Sequence, residues 1–113
     1  MQVYKILTQD EWVLAQSLGV FHGSPIDVRD GFIHLSNKDQ VAETLRLHFK
    51  GQTQLILLGI EAGHLDQLRW EKSRHGELFP HLYRSLKISE CTDEWALIND
   101  HAGIPLPPWE STR

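Results

Sequence analysis

Apolar positions at the start of the chain first alternate and then recur at helical spacing, which predicts a strand followed by a helix. Residues 3–7 alternate loosely and predict the opening strand. Thr8 stands three residues before Glu11, which is a capping-box spacing, and Gly19 supplies a helix end. The apolar face of the predicted helix carries Trp12, Ala15 and Leu18.

The next stretch predicts a loop and then a short strand. Residues 20–30 are rich in Gly, Ser, Pro and Asp, so we expect a long loop there. Residues 32–35 predict a short strand in which His34 faces away from Ile33 and Leu35. His34 is therefore expected on the more polar face of that strand.

A second amphipathic helix is predicted after Ser36, which we expect to cap it, and Gly51 ends it. Its apolar stripe falls at i, i+4, i+7 and i+8, on Val41, Leu45, His48 and Phe49. On that stripe His48 is expected to pack rather than to bind a ligand.

Later segments predict further strands and a tail. Residues 55–60 are an unbroken apolar run, so we expect a strand covered on both faces at the centre of the sheet. Residues 86–89 predict a later strand, and the apolar patch at residues 95–98 fits a helix or a strand. Three prolines make residues 103–113 a Pro-rich C-terminal tail that Trp109 pins, with its last few residues mobile.

These patterns predict the α+β class. We expect a compact single domain over residues 1–113, with small mixed or antiparallel sheets and two main helices. A chain of 113 residues can form a core without metal or disulfide support. Cys91 is the one cysteine and is expected to be a small buried residue.

Residues 69–84 are the most informative stretch for function. Ionisable and aromatic side chains crowd there with too little periodicity for an ordinary helix or strand. Such side chains could hold an anion, stack a ring and move a proton. Together with the polar cluster at residues 30–36, they predict a pocket.

The polar candidates each have a functional and a structural interpretation. His34 and Ser36 lie on one face of the predicted strand and could contact a ribose diol or a phosphate oxygen; a histidine bonded to backbone is the alternative. Arg74 could hold a phosphate through its planar fork while Glu71 supports developing positive charge or accepts a proton. The alternative for this second pair is an ion pair on a solvated turn.

Three further candidates share one face if Pro80 opens a strand: Phe79, His81 and Tyr83. His81 is a candidate general acid or base because an imidazole ordinarily exchanges protons near neutral pH. Phe79 and Tyr83 could stack a base or could belong to the core.

Charge and hydropathy limit the classes of partner. A net charge of −4 and a pI near 5.9 argue against extended nucleic-acid binding, which needs a basic face. No cationic segment followed by an apolar run opens the chain, and no apolar stretch reaches the roughly 18 residues of a membrane span. We therefore expect a cytoplasmic protein with a small-molecule, nucleotide-like ligand; its oligomeric state stays open.

Seven histidines raise the question of a metal site. Metal ligands commonly come as tight pairs such as His-x-x-x-His, and no pair here has that spacing. We therefore expect no metal, and a metal-dependent hydrolase stands as the third functional hypothesis.

Three blocks of the sequence resemble a small bacterial family catalogued as domain of unknown function 952. They are residues 3–6, residues 30–36 and the long block Trp70-Glu71-x-Ser73-Arg74-x-Gly76-Glu77-x-Phe79-Pro80-His81-Leu82-Tyr83. The resemblance runs over residues 3–88. That family is considered similar in fold to ADP-ribosyltransferases, which bind NAD in a cleft between two small sheets.

The resemblance implies an ADP-ribosyltransferase-like cleft with NAD as a substrate. In such enzymes a strand-borne His followed by Ser or Thr contacts a ribose, which points to His34 and Ser36. A Tyr stacks the nicotinamide, for which Tyr83 is the match, and an acidic residue stabilises the ribosyl cation, for which Glu71 is the candidate. Glu71 precedes Tyr83, whereas the usual order puts the acid last.

The first hypothesis from the sequence is therefore an ADP-ribosyltransferase-like enzyme that binds NAD or a related nucleotide. Its expected catalytic residues are Glu71, His81 and His34, and its expected ligand-binding residues are His34, Ser36, Arg74, Phe79 and Tyr83. The second hypothesis is a non-catalytic module that binds a nucleotide or a phosphorylated metabolite, which the unusual position of the acid favours.

Overall fold

The computed structural model of the chain describes residues 1–110 and confirms the α+β class, with small antiparallel sheets and two main helices. The helices are α1 (Gln9–Leu18), α2 (Pro25–Asp30) and α3 (Lys38–His48). The strands are β1 (Gln2–Thr8), β2 (Val20–Phe21), β3 (Ile33–His34), β4 (Leu55–Glu61), β5 (Leu68–Lys72), β6 (Leu78–Leu82), β7 (Leu86–Lys87), β8 (Cys91–Ala96), β9 (Ile98–Asn99) and β10 (Pro105–Leu106).

Strand β4 is the central strand of the sheet β1-β4-β8, as its unbroken apolar run predicted. Its alternate residues enter two separate apolar clusters, one on each face of the sheet. One cluster contains Ile56, Leu58 and Ile60 together with Trp12 of α1, and the other contains Leu55, Leu57, Val41 and Leu45. Each main helix therefore covers one face of this sheet.

Both main helices form where the pattern predicted them, with corrections at their ends. Thr8 and Glu11 make the expected capping box of α1, and Gly19 ends that helix in the left-handed region with a φ of 82°. Leu18 is exposed, so its predicted place on the buried face is wrong. The cap of α3 is Asn37, not Ser36, because the Asn37 side chain accepts from the backbone N–H of Gln40.

The prediction of a long loop over residues 20–30 is wrong. Strand β2 pairs with β7, and α2 follows it with Pro25 in the first helical turn. Asp27 accepts from the backbone N–H of Ser24, which is a capping interaction that the loop-like composition concealed. Gly31 then ends α2 with a φ of 87° and returns the chain to β3.

The crowded segment 69–84 also contains regular structure, contrary to the prediction. Strands β5 and β6 form an antiparallel hairpin, and β3 pairs with the other edge of β6 in a three-stranded sheet of order β3-β6-β5. Pro80 lies inside β6 rather than at its start, and its carbonyl accepts from the N–H of Leu35. The polar side chains masked the alternation because one face of this sheet lines a cavity rather than the core.

The C-terminal part is more ordered than its prolines suggest. Residues 86–89 divide into β7 and the start of a 3₁₀ turn, and the apolar patch at 95–98 is extended. Strand β10 pairs with β9, and Trp109 packs on Tyr4 with ring centroids 5.1 Å apart, which confirms that it pins the tail. The predicted mobility of the last few residues concerns 111–113 above all, which lie outside the described residues. Within residues 1–110, no helix is long and apolar enough to cross a membrane.

Helix α3 offers a matched test of the packing, because Leu45 is fully buried and Leu47 is 42% exposed. We expect Leu45→Ala to lower the free energy of unfolding by about 2–5 kcal/mol, since it leaves a cavity between α3 and the sheet. Leu47→Ala should change it by less than about 0.5 kcal/mol. Urea denaturation of the two variants measures the difference, and equal effects would contradict the packing of α3 described above.

Candidate functional site

A cavity of about 410 Å³ lies where β1, β3, α3 and the turn between β5 and β6 meet. Its residues come from segments far apart in sequence, so the fold assembles it. The lining residues are Tyr4, Lys5, Ile6, Ile26, His34, Leu35, Ser36, Thr44, His48, Phe49, Ser73, Arg74, Phe79 and His81. A mostly apolar wall with a few converging polar groups is typical of small-molecule sites.

His34 lines the cavity, whereas Ile33 and Leu35 are buried in the core, as the strand alternation predicted; Leu35 also reaches the cavity wall. Its ring nitrogen Nδ1 donates to Asp27 Oδ1 at 2.7 Å, and its backbone N–H donates to the same oxygen at 3.1 Å. Asp27 thus fixes both the backbone and the ring of His34. The bonded partner is a carboxylate and not the backbone group that the structural alternative assumed.

Asp27 is the most fully bonded side chain at the site, and its side chain is only 1% exposed. Its second oxygen, Oδ2, accepts from Lys5 Nζ at 2.8 Å and from the backbone N–H of Ser24 at 2.9 Å. Burial by itself would raise the pKa of Asp27, but the bonds from His34 and Lys5 outweigh burial and lower this pKa to about 2. Asp27 is therefore a buried anion whose two oxygens accept four hydrogen bonds, one of them from the cationic Lys5.

A second carboxylate lies near the other nitrogen of the His34 ring. Asp30 Oδ2 is 3.1 Å from His34 Nε2, and Asp30 also pairs with Arg29 at 2.8 Å. The pairing with Arg29, and then the nearby His34, lowers the pKa of Asp30. His34 consequently lies between two carboxylates at the rim of the cavity.

His81 is held in a parallel way from the hairpin. Its Nδ1 donates to Glu71 Oε1 at 2.7 Å, and the Tyr83 hydroxyl donates to the same oxygen at 2.6 Å. These two bonds, the Tyr83 bond first, lower the pKa of Glu71, and the bond to Glu71 raises the pKa of Tyr83. Glu71 thus acts as the anchor of a His81–Glu71–Tyr83 cluster.

The free nitrogen of His81 opens into the cavity. His81 as a residue is buried, but its Nε2 makes no hydrogen bond within residues 1–110. Every side-chain nitrogen or oxygen that is fully buried in these residues does have a hydrogen-bond partner, so Nε2 is not one of the fully buried atoms. That nitrogen is therefore accessible, and His81 lines the cavity. Because Nδ1 donates to an acceptor-only carboxylate, the neutral ring presents its lone pair at Nε2.

Phe32 packs on both imidazoles. Its ring stacks on His81 with centroids 4.0 Å apart and lies 4.5 Å from the His34 ring, and the two imidazole centroids are 5.7 Å apart. A rigid aromatic ring against both histidines limits their side-chain motion. The two histidines are thus preorganised as a pair.

Arg74 lines the cavity from the turn between β5 and β6. Its guanidinium lies 4.8 Å from the centre of the Phe79 ring and donates to Thr44 Oγ1 at 3.2 Å. His75 and Gly76 turn the chain with φ values of 56° and 74°. Among residues 1–110, Arg74 forms no ion pair with a carboxylate, so its charge is available to an anion.

The structure brings five of the predicted site residues to one cavity: His34, Ser36, Arg74, Phe79 and His81. Glu71 and Tyr83 do not line it; they lie beside His81 and are bonded to each other. The alternative of a Glu71–Arg74 ion pair is wrong, because Glu71 bonds His81 and Tyr83 instead. The roles of these residues in binding or catalysis stay predictions.

Sequence reasoning missed Lys5, Asp27, Thr44 and the position of His48. His48 is exposed at the cavity, so the expectation that it packs in the core is wrong. The spacing of Ser24, Pro25 and Asp27 could have signalled a capped helix. No local pattern signals Lys5, which reads as an ordinary residue of an opening strand.

The cavity wall contains Lys5, Arg74 and three histidines, and no aspartate or glutamate is among its lining residues in the described chain. The carboxylates Asp27 and Glu71 lie behind the imidazoles. Within residues 1–110, no three His, Cys, Asp or Glu side chains are grouped so that they could hold a metal ion. The arrangement therefore favours an anionic ligand.

Comparisons with known proteins support the resemblance to a family but give no activity. Residues 6–94 match the family described as Protein of unknown function (DUF952). The crystal structure of protein CC0527 from Caulobacter crescentus is similar with a TM-score of 0.92 and 48% identity, covering 94% of each chain. Its solution NMR structure gives a TM-score of 0.84 and 50% identity, covering 92% of this chain and 90% of that one.

No curated protein matches the sequence. Neither of these two similarities is to an ADP-ribosyltransferase by name. The expected likeness to the transferase cleft therefore stays a prediction from the sequence.

Replacement of Asp27 tests the buried charge cluster. We expect Asp27→Asn to lower the free energy of unfolding by about 3–5 kcal/mol, because it leaves Lys5 buried without its anion. The folded pKa of Asp27, about 2, lies below the ordinary value of 3.8, so its stabilisation is present above about pH 4 and is lost as the pH falls towards 2. Denaturation of the wild type and the variant across this range measures both effects.

The control is Asp39→Asn, since Asp39 is an exposed residue in the first turn of α3. We expect this substitution to lower the free energy of unfolding by no more than about 1 kcal/mol. If the wild type and Asp27→Asn lose stability in parallel between pH 4 and pH 2, Asp27 does not carry the stabilisation assigned to it.

Proposed function

Since the chain belongs to the family described as Protein of unknown function (DUF952), whose description carries no activity, we propose its function from its own cavity. We propose that it is an enzyme that binds a nucleotide-like, phosphate-bearing small molecule and moves a proton with His81. NAD is the first candidate ligand because of the resemblance to ADP-ribosyltransferases.

The observation that carries this proposal is the separation of charges around the cavity. Cationic and imidazole side chains line it, while the carboxylates that orient the imidazoles are withdrawn behind them. A wall of this kind attracts a phosphate and, among residues 1–110, includes no lining carboxylate that would repel it. It also leaves His81 Nε2 facing the bound ligand.

Each side chain has a role in this proposal that follows from its contacts. Arg74, held by Phe79 and Thr44, binds the phosphate oxygens. Ser36 and the exposed edge of the His34 ring contact a ribose or a second phosphate. His81 is the general acid or base, because a fixed imidazole with one open nitrogen can give or take a proton within the cavity.

Glu71 and Tyr83 act in the proposal through His81 rather than on the ligand. Glu71 fixes the tautomer and orientation of His81, and Tyr83 shares the same oxygen of Glu71. In the transferase hypothesis Glu71 instead stabilises a ribosyl cation, which would require its second oxygen to reach the ligand. The position of Glu71 outside the cavity wall favours the positioning role.

The second candidate function is the non-catalytic binding module. The specific observation in its favour is the lack of a lining carboxylate among residues 1–110, since cleavage of the nicotinamide–ribose bond develops positive charge on the ribose. Such a module would use the same phosphate contacts without turnover.

Binding of nucleotides tests the phosphate contact. We expect ADP and NAD to bind the wild type, and Arg74→Lys to weaken this binding about tenfold or more, because Lys keeps the charge but loses the planar fork. The control is Arg46→Lys, since Arg46 is exposed on α3, pairs with Glu43 and does not line the cavity. Isothermal titration calorimetry measures both, and thermal unfolding checks the fold. Unchanged affinity in Arg74→Lys, or no nucleotide binding at all, would overturn the proposal.

Release of nicotinamide from NAD separates the enzyme from the module. If the protein cleaves NAD, Glu71→Gln should lower kcat about 10- to 100-fold with little change in NAD affinity, because it disturbs only the orientation of His81. The control is Glu110→Gln, which alters an exposed carboxylate outside the cavity. Chromatography of the released nicotinamide gives the rate. Binding of NAD without release would favour the non-catalytic module.

A further inference from the structure

We propose that His34 and His81 form a two-imidazole acid–base pair that hydrolyses phosphate diesters. This inference rests on the proposed binding of phosphate-bearing ligands and deepens it by naming the reaction. It assigns His34 as the general acid, His81 as the general base, and Asp27 and Glu71 as the residues that position them.

The two histidines are direct neighbours in the sheet. Strands β3 and β6 pair antiparallel with His34 opposite His81, so both side chains leave the sheet on the same face. Both rings line the cavity, their centroids are 5.7 Å apart, and Phe32 packs on each of them. A small ligand in the cavity can therefore contact both rings at once.

The carboxylates distinguish the two rings. His34 Nδ1 donates to Asp27, and its Nε2 lies 3.1 Å from Asp30, so each ring nitrogen of His34 faces a carboxylate oxygen that can accept a hydrogen from it. His81 donates through Nδ1 to Glu71 and presents Nε2 without a partner in residues 1–110. In this arrangement His34 can give a proton from Nε2, and His81 can accept one at Nε2.

The charged and titratable groups that face the pair come from four segments. Lys5 of β1 and Asp27 and Asp30 of α2 lie around His34, and Glu71 of β5 lies against His81. Tyr83, which follows β6, and Arg69 of β5 act on Glu71. Asp30 is at the rim and is shared with Arg29, so it can release His34 Nε2 to a ligand, whereas the buried Asp27 keeps its hold on Nδ1.

The reaction that fits two such groups is an in-line displacement at phosphorus. His81 Nε2 takes a proton from water, the water oxygen forms a bond to phosphorus, and the bond from phosphorus to the leaving oxygen breaks. His34 Nε2 gives its proton to that leaving oxygen, so a diester and water yield a monoester and an alcohol. Proton exchange with solvent then restores both rings.

The remaining cavity groups suit the anion in this reaction. Arg74, with Ser73 and Thr44 beside it on the wall, can bind the two non-bridging oxygens, whose charge increases in the transition state. Those oxygens meet no carboxylate on the described part of the wall. A diester places a nucleophile and a leaving group on opposite sides of one phosphorus, which matches two imidazoles with opposite proton roles.

Two probes with different leaving groups test the assignment. The ring of 2′,3′-cyclic AMP opens with an alkoxide, which needs a proton, whereas bis(p-nitrophenyl) phosphate releases a phenolate that leaves without one. We expect the wild type to hydrolyse both. His34→Asn should lower hydrolysis of 2′,3′-cyclic AMP at least about 100-fold and that of the nitrophenyl diester by less than about tenfold. His81→Asn should lower both at least about 100-fold.

The choice of Asn protects the fold in both variants, because its amide can replace Nδ1 as the donor to Asp27 or to Glu71. His34→Gln is the second variant, and thermal unfolding compares all of them with the wild type. The control is His101→Gln, an exposed histidine outside the cavity, which should leave both rates unchanged.

The outcomes separate this inference from the proposed function. If His34→Asn and His34→Gln each lower the hydrolysis rates of the two probes by the same factor, the role of His34 as the general acid is overturned. If the wild type binds ADP but hydrolyses neither probe, the diester inference is overturned and nucleotide binding stands. If it neither binds ADP nor hydrolyses a diester, both are overturned.

Discussion

The buried carboxylate of Asp27 is the interaction on which the site depends. It joins Lys5 of β1, the start of α2 at Ser24, and both the backbone and the ring of His34. A buried charge of this kind is costly unless every acceptor position is paired, and here four donors satisfy its two oxygens. Because these donors come from three segments, one side chain fixes where β1, α2 and β3 meet, and so fixes the position of His34.

The β5–β6 hairpin contains a similar arrangement, formed by other residues. Glu71 accepts from His81 and Tyr83 as Asp27 accepts from His34, but it lies nearer to solvent. In both cases the carboxylate holds Nδ1 and stays outside the cavity wall. The wall therefore has the polarity of the imidazoles and of Arg74, while the carboxylates of Asp27 and Glu71, which hold the Nδ1 atoms, are not among its lining residues. This separation of orienting charge from contacting charge supports the proposal of an anionic ligand.

Regular elements with apolar periodicity could be predicted, because their sequence pattern reports burial directly. The central strand β4, the two main helices and the opposite facing of His34 relative to its neighbours follow from alternation or helical spacing alone. Helix α2 and the β5–β6 hairpin could not be predicted in the same way. Their polar residues serve a capping interaction and a cavity wall, so their pattern does not report a core.

By itself the sequence determined the α+β class, the core strands and five of the residues that line the cavity, since these follow from local periodicity and from unusual local chemistry. Only the tertiary structure decided which charges meet. Asp27 and Lys5 are 22 residues apart, and Glu71 and His81 are 10 apart, and no local rule relates them. Electrostatic pairing depends on distance in space and on exclusion of water, and both arise only after the strands and helices have packed.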